Sequence, residues 1–156
     1  MPDTPQALAD RLRGEGGRVV DFFNHLSTEQ WEILVYPQVS TWSLHHLLAH
    51  FVSSEIGRKE LIANVFGGDK GAPPDFEIDL FNQQGVVKLS VNSSVELLQR
   101  FNQEREILIE LVSTMSPQDL TRKGNDPYLG VVSLSEIIKL TYRHLQIHLR
   151  DARRCL

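Results

Sequence analysis

The chain has 156 residues, a length that favours one domain (1–156), and its 41% hydrophobic and 23% charged residues are an ordinary globular mixture. A formal charge of −4 gives no electrostatic footprint for nucleic acid, and the single cysteine, Cys155, excludes an intrachain disulfide, a zinc ribbon and a CxxC redox site. No apolar run approaches the ~18 residues a bilayer span needs, and Met1-Pro2-Asp3-Thr4-Pro5 begins neither a signal nor a transit peptide, so a cytoplasmic setting is expected.

The first predicted helix runs from about Thr4 to Leu26, with Leu8, Leu12, Val19, Phe22 and Phe23 at apolar positions. Gly14, Gly16 and Gly17 weaken it and mark a kink or a close helix contact. The second runs from about Ser43 to Phe66, capped by Thr41 or Ser43 and stopped by Gly67-Gly68. A loop rich in glycine and proline follows, and then Asp75 to Leu89, which reads as a short helix within a long crossover connection. The third long helix, Ser94 to Met115, opens on a capping box of Ser93 and Glu96. The fourth, Leu134 to Arg154, opens on Ser133 and Glu136, and its closing arginines complement the negative end of the helix dipole. A faint repeat joins the halves: Ser27–Trp31 and Ser116–Leu120 each resemble a capped single turn, and each leads to a serine that opens the next helix.

The chemistry gathers on histidines. His144 and His148 stand one turn apart on one face of the last helix, in a stripe with Ile137 and Thr141 that points into the bundle. Burying two imidazoles is costly unless their nitrogens are paired, and neutral imidazole is a preferred ligand of zinc, nickel, copper and iron. The plain alternative is two core histidines bonded to neighbouring groups. From the second helix, His50 is the favoured third donor because it lies nearest Leu47 and Val65 on the helical wheel; His46 is its rival. Three nitrogens leave a coordination position open, which is the pattern of a catalytic centre. Glu55 falls in the apolar stripe as a ligand or an acceptor for a ligand imidazole, or else in an ion pair. Asp151 stands similarly between an imidazole acceptor and a surface charge, and Asn82 faces the same cavity or solvent. No phosphate-cradling glycine loop, GxSxG elbow, HExxH or paired Glu-x-x-His motif is present.

Trp42-Ser43 and His50 opening a long helix, with His144-x3-His148 in the last one, resemble the DinB/YfiT-like family, as do Glu55 and Phe81-Asn82. The resemblance implies an all-α, four-helix bundle in up-down-down-up order, with the crossover between the second and third long helices. It also implies a divalent metal, zinc or nickel, held by His50, His144 and His148. Relatives include S-transferases and isomerases that use low-molecular-weight thiols such as mycothiol or bacillithiol, act on small molecules and often form homodimers. The maleylpyruvate isomerases of this type carry a further C-terminal domain, whereas this sequence ends at Leu156, so that activity is not expected. Two functions remain in view: a metal-dependent enzyme, a thiol S-transferase or a hydrolase, and a non-catalytic bundle that sequesters a metal or small molecule under stress.

Overall fold

A computed structural model describes residues 2–156. The long helices are α1 (Pro5–Asn24), α2 (Leu44–Phe66), α4 (Ser94–Ser113) and α5 (Leu134–Arg154); a shorter α3 (Ile78–Leu89) occupies the connection between α2 and α4. Their starts follow from local chemistry. Thr4 accepts from the Ala7 amide with Pro5 in the first turn. Ser93 and Glu96 form the expected reciprocal capping box. Ser43 also sits in a capping box, but its partner is His46, whose Nδ1 accepts from the Ser43 amide. At α5 only one arm forms: Ser133 accepts from the Glu136 amide, while the Glu136 carboxylate turns to Lys139 and Arg143.

Among the described residues the four long helices and the expected short helix of the crossover are present, and the all-α expectation is corrected in one respect: β1 (Lys123–Asp126) pairs antiparallel with β2 (Gly130–Ser133), with Lys123 opposite Ser133 and Asp126 opposite Gly130. Four residues reading Lys-Gly-Asn-Asp carry no alternation that would announce a strand. The turn imposes the pairing instead: Asp126 Oδ1 accepts from the amides of Tyr128 and Leu129, and Gly130 takes a φ of 77°.

The repeat is real in the backbone. Single 3-10 turns occur at Gln30–Glu32 and Asp119–Thr121. Each is tied by a reciprocal serine pair, Ser27 with Gln30 and Ser116 with Asp119. After each, the chain returns to the next serine cap, with Leu44 donating to the Ile33 carbonyl and Leu134 to that of Arg122.

α1 and α2 each pack against both α4 and α5, and α3 lies on α2. The core has two parts. One gathers Leu8 and Leu12 with Ile62, Val65, Leu108, Val112, Leu134 and Ile137; the other gathers Val19 and Phe23 with Leu47, Phe51, Leu97, Phe101, Leu145 and Leu149. Among the described residues no helix is long and apolar enough to cross a membrane.

α3 approaches α2 closely at Gly85, where a Cβ would fall 2.8 Å from Ser53 Cβ and closer still to its hydroxyl. Gly85→Ala is therefore expected to push the helices apart and destabilise the fold by about 1–3 kcal/mol, despite alanine's better helix propensity. Urea unfolding reads this directly, and a stabilised variant would contradict the contact.

Candidate metal centre

α2 and α5 cross where His50 faces the His144–His148 turn. Each histidine offers one nitrogen, and the three atoms lie within 4.8 Å of one another. The His50 ring centroid is 5.2 Å from each of the other two, and His144 Nε2 stands 3.1 Å from His148 Nε2. His50 is 2% exposed, and the other two are half-buried. Its Nδ1 is buried with no hydrogen-bond partner, a cost of about 1–3 kcal/mol that a fold keeps for a reason.

The imidazoles are held from outside. Tyr36, in the loop before α2, donates its hydroxyl to Asp151 Oδ2 at 2.9 Å. With its proton so placed, it accepts from His148 Nδ1 at 2.8 Å. This sets the His148 tautomer and turns the Nε2 lone pair inward toward the other histidines. The Trp42 ring covers His50 at 5.2 Å, and the Phe51 ring lies 6.0 Å from that of His148. On the far side Tyr128 lies 5.6 Å from His144, held there by the Asp126-braced turn. Asp126 in turn pairs with Arg58 at 2.6 Å.

Electrostatics keeps the site neutral. Burial, with the charges of His144 and His148, pushes His50 down to about 3. Burial, His148 and Arg58 push His144 down to about 4, against an opposing pull from Asp126. Burial lowers His148 too, against Asp151. Burial and the neighbouring Asp151 raise the Tyr36 hydroxyl, which stays protonated as a donor. The three imidazoles are thus neutral at neutral pH, the charge state in which imidazole acts as a ligand.

A pH dependence of stability follows for the metal-free protein. In the unfolded chain these imidazoles titrate near 6.5, so the unfolded state binds protons first as the pH falls. Stability is fully present above 6.5 and is lost as the pH falls toward about 4 for His144 and about 3 for His50. Between pH 7 and pH 4 a loss on the order of 3 kcal/mol is expected from each of the two groups, read from denaturant midpoints. Phenylalanine at 144 removes part of it.

Of the residues singled out in the sequence, the fold brings His50, His144 and His148 together. Glu55 is not among them; its carboxylate points to α4 and is clasped by Arg105 at 2.5 and 2.8 Å. A helix position five residues beyond His50 is turned about 140° away from it, which the apolar stripe alone conceals. Asn82 reaches the site only at one remove, donating to the Tyr128 hydroxyl at 3.1 Å. Asp151 acts through Tyr36 rather than on an imidazole directly. His46 is consumed by its cap, His45 bridges to Ser90 and Ser94, and His25 bonds the Asp21 carbonyl. Tyr36, Tyr128 and the Arg58–Asp126 pair escape a sequence reading, because no periodicity marks a loop aromatic and only contact reveals its role.

Comparison with known proteins adds three findings. The model of the DinB superfamily matches residues 11–152. No curated protein matches by sequence. Among solved structures, the mycothiol-dependent maleylpyruvate isomerase superposes with a TM-score of 0.74 at 15% identity, over 95% of this chain and 59% of that one. A histidine-to-alanine mutant of the same enzyme gives a TM-score of 0.75, with the same identity and coverage. The likeness is one of fold, and the chain spans 59% of the isomerase's length.

Proposed function

The chain belongs to the DinB superfamily, and from that premise we propose a metal-dependent enzyme that joins a low-molecular-weight thiol to a small electrophile. His50, His144 and His148 would hold one divalent cation, zinc or nickel. The observation that carries the reading is the convergence of three neutral imidazole nitrogens from two helices within 4.8 Å, one ring of which has a buried nitrogen without a partner. That donor set suits zinc or nickel and leaves a coordination position open. Such a cation, when bound, favours the thiolate form of a coordinated thiol. The chain's own contribution is orientation and dryness. Tyr36 and Asp151 fix the His148 ring, while Trp42 and Phe51 shield the imidazoles from water. The mycothiol named in the superposed isomerase supports the thiol.

The same reading includes an up-down-down-up bundle. It is supported by the two core clusters, which join the early parts of α1 and α5 to the late parts of α2 and α4, and the reverse. It also includes a cytoplasmic setting and a homodimer, for which the exposed Val87, Val91 and Val95 offer apolar surface.

One observation favours a second reading. Among the described residues no carboxylate joins the cluster of the three histidines themselves, which suits a site that sequesters a metal or small molecule without turnover. The test is a panel of thiols, mycothiol, bacillithiol and glutathione, with chlorodinitrobenzene and zinc- or nickel-loaded protein purified without a chelate column. The expected thiol-dependent rate is at least about tenfold above that of the His144→Ala, His148→Ala double variant, ~1.4 kcal/mol of barrier. A rate equal to the variant's removes the transferase, and tight retention of a ligand without turnover selects sequestration.

A further inference from the structure

Beside the histidines, between α2, α3 and the hairpin, lies a cleft of about 190 Å³. Leu61, Pro73, Phe76 and Phe81 line it with apolar surface. Gly57 makes room for it: a Cβ there would come within 2.9 Å of Phe81 Cζ, so only glycine lets that ring settle on the α2 backbone. Tyr128, also lining it, is exposed and brings the cleft to the histidines, its ring 5.6 Å from that of His144.

Charge and size narrow the occupant. Arg58 lines the cleft, yet its guanidinium is committed to Asp126, the Ile137 carbonyl and the Thr141 hydroxyl, with Asp126 neutralising it. Glu60, also lining the cleft, is exposed and has no ion-pair partner among the described residues. The cleft therefore presents no free cation to an anion and one carboxylate that repels it. The uncharged polar groups are Asn82 and Tyr128. Asn82 Nδ2 donates to the Tyr128 hydroxyl, which leaves that hydroxyl's proton and the Asn82 carbonyl free for a ligand. An enclosed apolar cavity of about 150 Å³ accepts benzene; this cleft is open to solvent, and its roughly 190 Å³ leaves room for a single substituted ring.

We infer that this cleft receives the electrophile of the thiol transfer proposed above, and that the electrophile is a neutral, single-ring molecule whose polar substituent meets Tyr128 and Asn82. The inference rests on that proposed function for the word electrophile, but the cleft's preference is its own and needs no metal. Carboxylates are disfavoured by the balance of charge.

Phenol and benzoate titrated separately into metal-free protein, followed by NMR chemical shifts, test it. Phenol is expected to bind with a dissociation constant on the order of 1 mM and to shift resonances of Gly57, Phe81 and Tyr128, with benzoate at least about tenfold weaker. Ala72→Phe, which fills the cleft, is expected to abolish binding; if it does not fold, Asn64→Phe blocks the same cleft from an exposed helix position. The His148→Ala variant, whose lost ring makes no contact with Tyr128, is expected to keep phenol affinity within about twofold while losing metal, so failure of the metal site and failure of the cleft read out separately. Absence of phenol shifts, benzoate binding as tight as phenol, or undiminished binding in the filled variant overturns the inference.

Discussion

Alanine at His148 is expected to lower affinity for zinc or nickel by more than about 100-fold, because it removes one of three nitrogen donors and leaves His50 and His144 alone. Losing a group that merely orients a ligand costs about 10–100-fold, and a lost donor exceeds that. Tyr36→Phe belongs in the smaller range: it takes away the oxygen that accepts from His148 Nδ1 and the proton given to Asp151, yet leaves all three imidazoles in place. Competition against a chromogenic chelator ranks the two. Wild-type protein gains about 2.7 kcal/mol of stability at a hundredfold excess of metal over its dissociation constant, so the thermal shift vanishes for His148→Ala and is reduced for Tyr36→Phe. Equal affinities in all three proteins would eliminate the site.

Glu55→Ala is expected to destabilise the fold by about 3–5 kcal/mol and to leave metal affinity unchanged. Glu55 is 1% exposed and Arg105 is 3% exposed, and the two are joined by paired hydrogen bonds. Arg105 also donates to the Leu12 carbonyl at 2.7 Å, and the Gly16 backbone lies against its stem, so one guanidinium ties α1, α2 and α4. Without Glu55 a charge remains buried with a lone carbonyl for company. For a domain of this size that is a large share of total stability. Replacing both at once, Glu55→Leu with Arg105→Met, recovers most of the loss, since an apolar pair of similar volume pays no desolvation. A carboxylate that ligated the metal would behave the other way round, with metal affinity falling and stability scarcely moving.

These two experiments divide what local sequence encodes from what the fold adds. The helices of α2, α4 and α5 were legible because apolar residues recur at three and four and serines stand where caps must. His144 and His148 were legible as a pair because four residues of helix return a side chain to the same face. The single turns at Ser27 and Ser116 were visible for the same local reason. The hairpin at Lys123–Ser133 was not, because its register comes from one aspartate accepting two turn amides and one glycine at positive φ, with no alternation in its strands.

The destination of each polar side chain was settled only in three dimensions. Glu55 and His50 share a helix and a buried setting, yet one meets a guanidinium from α4 and the other two imidazoles from α5. Tyr36 becomes part of the site because a loop over a hundred residues away in sequence lies against α5. Periodicity reports which face of an element is turned inward, since that is a property of neighbouring residues; what waits there is decided by packing between elements distant along the chain, about which no local pattern carries information.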